Sequence, residues 1–166
     1  MDVNFVVILL AALVPMIIGF VWYHPSVMGR AWMNASGMNE EQIKGANLPL
    51  IFGLCFLFAF MLSFSLQFNV VHQYHLFSIV ADQVTPGDTT SAAGQWLQSS
   101  LDNYGSNFRT FKHGAFHGFL MAIFLVLPLI GTHALYERKS ARYIFLHTGF
   151  WAINFTLMGG IISQWA

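Results

Sequence analysis

Four stretches of this chain, 3–29, 45–81, 113–136 and 143–166, contain no Asp, Glu, Lys or Arg. Each is longer than the roughly 20 apolar residues with which an α-helix crosses the hydrocarbon core of a bilayer. Hydrophobic residues make up 56% of the chain and charged ones 8%, against roughly 25% charged in soluble domains, which excludes a soluble reading. The expected fold is therefore all-α, a four-span transmembrane helix bundle. It forms one integral membrane domain over 1–166, with spans at about 4–24, 49–71, 113–136 and 143–165. No room is left for a separate soluble domain.

Span one ends in Trp22, Tyr23, His24 and Pro25, amphipathic aromatics of the headgroup level followed by a helix stop. Pro49 suits the first turn of span two, which has room to continue as helix to Val80. Pro128 is expected to bend span three, because it removes a backbone hydrogen bond and crowds the preceding turn. Pro15 and Tyr23 in span one share their spacing with Pro128 and Tyr136 in span three, a faint sign of two related helical hairpins. Asp2 replaces the basic n-region of a cleaved signal, so the first span is expected to be retained.

Lys and Arg set the orientation. Arg30 and Lys44 follow span one and Arg138, Lys139 and Arg142 follow span three, five on one side, against Arg109 and Lys112 on the other. By the positive-inside rule, loops one and three are cytoplasmic, and the N- and C-termini are extracytoplasmic. The middle loop, on the same side as the termini, is expected to be partly helical, since Ala93, Leu97, Leu101 and Tyr104 follow helical spacing after the turn residues Thr85, Pro86, Gly87 and Asp88.

Histidine is the anomaly, with seven residues, as many as Lys and Arg together. The topology puts His72, His75, His113 and His117 on the outer side. His113 and His117 are one turn apart on span three, and His72 and His75 stand at the outer end of span two. Imidazole is the commonest protein metal ligand and a haem axial ligand, so these four are the candidate metal ligands, for a transition metal or haem. H-x-x-x-H without the Glu of H-E-x-x-H is a weak signature. Interfacial histidines also serve as amphipathic groups that hydrogen-bond headgroups, loop carbonyls or water. His117, one turn inside the span, should face the bundle in either case.

Gly114, Gly118 and Ala122 form a small-residue stripe that lets a neighbouring helix approach closely. Met121 continues the His113 and His117 stripe beside it. On the inner side, His24, His133, His147 and Asn154 are expected to bond between helices, and Ser63, Ser65 and Gln67 to satisfy local backbone or neighbouring helices. With no ionisable Asp, Glu, Lys or Arg inside a span, a proton- or ion-coupled transporter loses support. No Walker loop, nucleophile elbow, CxxC or dinucleotide fingerprint occurs, and catalytic residues are none. Zero net charge and the absence of a basic run exclude nucleic acid as a partner. The lone Cys55 has no disulfide partner within the chain.

At Trp22, Tyr23, Pro25, Gly29 and Trp32, at Tyr136, Glu137, Arg138 and Lys139, and at Gly149, Asn154, Met158 and Gly159, the chain resembles the DUF1761 family, uncharacterised bacterial four-helix membrane proteins. The resemblance implies a multi-pass protein of the bacterial inner membrane and carries no activity, cofactor or catalytic residue with it. The resulting expectation is a structural or accessory membrane component in contact with the lipid bilayer, as a homo-oligomer or part of a larger membrane complex, and not an enzyme. The alternatives are a metal- or haem-binding protein using the outer histidines, or a module that binds or transports a lipid, quinone or other apolar ligand among the phenylalanines.

Overall fold

Backbone N–H groups at a helix start have no partner within the helix, and each of the four apolar runs is preceded by a side chain that supplies one. Asn4, Asn47, Thr110 and Ser140 accept hydrogen bonds from the backbone N–H groups of Val7, Leu50, His113 and Tyr143. Such caps are each worth about 1 kcal/mol. They place the span starts where charge counting does not, since Lys112 and Arg142 lie inside the first turns.

The computed structural model describes residues 3–166, so Asp2 lies outside the described residues. Helix α1 (Phe5–Trp22) passes through a π-turn at Pro25–Gly29 into α2 (Arg30–Ser36) and α3 (Glu40–Lys44). Then come α4 (Leu48–Val70), α5 (Gln73–Ile79), α6 (Ala92–Tyr104), α7 (Phe111–Met121), α8 (Leu127–Tyr136) and α9 (Ala141–Trp165). No strand occurs among the described residues. Four helices are long and apolar enough to cross a membrane: α1, α4, α9 and the continuous helix Phe111–Tyr136 formed by α7 and α8. Their apolar outer faces would contact lipid.

Pro128 acts through a change of helix type. The segment Ala122–Val126 is a π-turn, in which the Leu127 N–H reaches back to the Ala122 carbonyl. A widened turn just before a proline relieves the clash of its ring with the carbonyl four residues earlier. Pro15 sits in unbroken α-helix, so the two proline-bearing spans differ locally.

α9 is the hub and the most buried of the four spans. It packs on α1, α4, α7 and α8. Ile8, Ala11, Leu66, Val70, Val71, Ala122, Phe155, Met158 and Ile162 form the core between these helices. The anticipated small-residue stripe is what brings α7 onto α9. A Cβ on Gly114 would collide with the Gly159 carbonyl, one on Gly118 with the Phe155 carbonyl, and one on Gly159 with the Gly114 carbonyl. The two helices thus meet backbone to backbone, and the seam is used within one chain.

Side-chain bonds latch both ends of the bundle. At one end the Lys139 ammonium donates to the Ser36 carbonyl (3.1 Å), joining the two basic connections. At the other, Asn4 Nδ2 donates to the Trp165 carbonyl (3.2 Å), the Phe111 N–H to Gln164 Oε1 (3.0 Å) and the Ser163 hydroxyl to the Phe108 carbonyl (3.2 Å).

Polar groups inside the bundle behave differently from the sequence expectation. Ser63 and Gln67 are fully buried, and the Ser63 hydroxyl and both Gln67 amide atoms find no partner. Asn154 donates to the Phe150 carbonyl of its own helix (2.7 Å) rather than to a neighbour. Its Oδ1 is also unpaired.

Candidate metal centre

α4 does not continue to Val80. Val71 is extended (φ −108°, ψ 92°), and the chain restarts as α5 with His72 at its N-cap position. This break swings His72 off the line of the span and over the start of α7. Gln73 then holds α5 against the loop that follows α6, its Nε2 donating to the carbonyls of Tyr104 (3.2 Å) and Asn107 (2.9 Å).

α7 supplies the other two rings. His113 and His117 lie one turn apart with ring centroids 4.5 Å from each other, and His72 stands 5.0 Å from His113 and 4.9 Å from His117. His72 Nε2 and His113 Nε2 share a hydrogen bond of 2.8 Å, one ring donating and the other accepting. One nitrogen from each of the three histidines lies within 4.8 Å of the other two. The group contains neither carboxylate nor thiol, and its three residues are half-buried. Burial, then the neighbouring rings of His117 and His75, hold His72 below the ordinary imidazole value of 6.5.

Phe108 covers the triad. Its ring centroid is 4.8 Å from that of His113 and 6.4 Å from that of His72. Its backbone is left-handed, with φ at 60°, a conformation that a bulky residue holds only against a steric cost. The Phe108 carbonyl accepts from both the Ser163 hydroxyl and the Thr110 N–H, which fixes it there.

Of the four histidines anticipated as ligands, the fold brings three together. His75 is exposed on α5, 6.5 Å from His72 between ring centroids, and lies outside the group. The histidines at the opposite end of the bundle do not converge. His24 Nδ1 accepts from the Ser26 N–H (3.2 Å) and caps the first π-turn, His133 is exposed, and His147 lies tilted against Tyr143, ring centroids 4.3 Å apart, with Nε2 buried and unpaired.

Two recesses accompany the triad. A groove of about 250 Å³ runs along the outside of the bundle past Asn69, His117, Leu120, Met121, Phe124 and Leu125. A wider cleft of about 630 Å³ lies between α5 and α6, among Phe77, Val80, Val84, Leu97 and Leu101. The helix α6 that walls it turns Leu97 inward and leaves Tyr104 exposed. The start of α6 is held by Asp88, whose carboxylate accepts from Thr90 and Ser91 and is thereby pushed well below the usual carboxylate range.

No curated protein and no solved structure matches the chain. The family model described as a protein of unknown function, DUF1761, matches residues 6–163, nearly the whole of it. The chain, with its four apolar helices and its histidine triad, belongs to the DUF1761 family.

Proposed function

We propose that this multi-pass protein binds one transition-metal ion through His72, His113 and His117 at the extracytoplasmic end of its bundle. The observation that carries the reading is the convergence of three imidazole nitrogens, one from the start of α5 and two from α7, within 4.8 Å. Metal–imidazole bonds of 2.0–2.1 Å put tetrahedral nitrogens about 3.3 Å apart. The His72–His113 pair, at 2.8 Å, would open by roughly 0.5 Å to meet that geometry, a movement within the reach of side-chain rotation.

The same distances favour a single ion over haem. Axial nitrogens of a bis-histidine haem stand on opposite faces of the macrocycle, about 4 Å apart across the iron, whereas His72 and His113 are in direct contact. Three protein ligands leave a further coordination position, the arrangement of catalytic rather than closed structural metal sites. This favours metal binding over a purely structural or accessory role. The glycine stripe lends no support to oligomerisation, since α9 already occupies it.

The reading is tested by metal analysis of protein purified without added metal and then loaded with Zn2+ or Co2+. About one ion per chain supports it, and no retention by the wild-type protein removes it. Only neutral imidazole binds. Because His72 is held below 6.5, protons compete for it only at lower pH than for a free imidazole. Bound metal should be retained at pH 7 and lost as acidification protonates the imidazoles, followed by desalting across a pH series. Retention that persists unchanged down to about pH 4 would count against imidazole ligands.

The orientation we propose puts the two basic connections in the cytoplasm of a bacterial cell, and the triad and α6 outside the inner membrane. It is supported by five of the seven Lys and Arg residues lying in those connections. With an impermeant thiol reagent on intact cells, Ser91→Cys in the loop before α6 should label and Ser140→Cys at the cap of α9 should be protected. The reverse pattern would turn the site to the cytoplasm.

A further inference from the structure

The turn between α8 and α9 closes on an arginine where a helix commonly ends on glycine. The Arg138 N–H donates to the Leu135 carbonyl (3.1 Å) and the Lys139 N–H to the Ala134 carbonyl (2.8 Å), the paired bonds of a Schellman cap. Arg138 is its left-handed residue, with φ at 55°, a conformation that glycine adopts at no steric cost and a long side chain does not. The turn itself needs no cation there, and the Arg138 side chain is exposed. Two further cations flank it. Lys139 is held between the Ser36 carbonyl (3.1 Å) and the Tyr143 ring (5.8 Å to its centroid), and Arg142 is exposed in the first turn of α9. Glu137 is the one carboxylate of this connection, and it enters no ion pair, since the one ion pair among the described residues joins Glu40 and Lys44. Residues 137–142 thus carry three cations against one anion, none of them in an ion pair.

We propose that Arg138, Lys139 and Arg142 bind the phosphate headgroup of an anionic phospholipid, with one acyl chain of that lipid lying along Phe145. Both helices that the turn joins belong to membrane-crossing segments, so the cations stand at the edge of the hydrocarbon, where the anionic groups within reach are lipid phosphates. Phe145 is exposed and shares a face of α9 with Arg142, three residues before it, about 4.5 Å further along the helix axis. A cation at headgroup level and an aromatic ring at acyl level are thereby aligned. Guanidinium groups suit phosphate because they can bond it in a two-pronged fork, and the Lys139 ammonium keeps two donors beyond the one given to Ser36. A zwitterionic lipid brings its own cation, which the uncompensated positive charge repels. The proposal stands independently of the histidine triad and of which end of the bundle faces the cytoplasm.

The test titrates the whole chain in neutral detergent with phosphatidylglycerol and, separately, with phosphatidylcholine, and counts bound lipid by native mass spectrometry. The wild type should prefer phosphatidylglycerol by about tenfold or more. Arg138→Gly and Arg142→Gln should each lose about fivefold in phosphatidylglycerol affinity and none in phosphatidylcholine affinity. Lys44→Gln removes a cation already paired with Glu40 and should change neither. Arg138→Gly also separates charge from fold. Glycine accepts the left-handed turn without steric cost, so this variant should unfold at the wild-type temperature or above it while binding the anionic lipid more weakly.

Three outcomes overturn the proposal: equal affinity of the wild type for the two lipids, unchanged phosphatidylglycerol binding in Arg142→Gln, or inorganic phosphate that binds the delipidated protein as tightly as phosphatidylglycerol does, which would make this a site for a free anion. Arg142→Gln leaves the turn untouched and decides alone if Arg138→Gly does not fold. None of these outcomes bears on the metal-binding reading.

Discussion

Gly118→Ala should unseat α7 from α9 and destabilise the protein by on the order of 3 kcal/mol, near the upper end for overpacking. A single added methyl has this effect because of what it meets. The Cβ would fall on the Phe155 carbonyl, which is main chain and cannot rotate away, so the helices themselves would have to part. Gly114→Ala meets the Gly159 carbonyl in the same way. Gly53 in α4 supplies the control, since a Cβ there meets nothing within 4 Å. Gly53→Ala should gain the roughly 0.8–1.0 kcal/mol by which alanine exceeds glycine in a helix. Thermal unfolding in one detergent, followed by near-UV circular dichroism, compares the three variants. Equal behaviour of Gly118→Ala and Gly53→Ala would mean that the seam is looser than the structure describes.

His117→Ala should reduce metal affinity by more than about 100-fold, beyond the range for losing a mere supporting hydrogen bond to a ligand. His117 is central to the triad, flanked by His113 on its own helix and by His72 from across the gap. His72→Ala should do the same. His75→Ala, altering an exposed residue outside the group, should leave binding unchanged. Metal content and apo-protein stability are measured side by side. A His117→Ala protein that loses stability but binds metal as the wild type does would make His117 a packing and hydrogen-bonding residue only.

The contrast between His72 and His75 shows how far the sequence can be read. Charge-free runs disclose spans because a charge in hydrocarbon is costly, so the four helices and the pairing of His113 with His117 follow from spacing alone. The place of His72 does not. The extended Val71 parts both histidines from α4, so counting along span two does not tell which of them stands over α7. Nothing in the apolar pattern of 48–80 marks that break.

The span starts, by contrast, were legible. Asn4, Asn47, Thr110 and Ser140 are strong N-cap types standing just ahead of apolar runs, a signal that charge counting and aromatic belts pass over. The seam lies between these cases. Gly114 and Gly118 announce a close neighbour, but only the fold shows that the neighbour is α9 at Phe155 and Gly159. The unpaired Gln67 and Ser63 were beyond reach as well, since whether a buried amide finds a partner depends on facing helices, and spacing along one helix says nothing of that.

The central position of α9 also sets an order of assembly. The hub of the bundle is synthesised after the helices that surround it, and α1, α4 and α7 all pack on it. At translation rates of about 5–20 residues per second, α7 precedes α9 into the membrane by on the order of seconds. During that interval its glycine face borders lipid, with backbone exposed where a partner carbonyl will later lie. The packing of α7 is therefore completed only when α9 arrives, and until then the backbone of its glycine face lacks its closest neighbour.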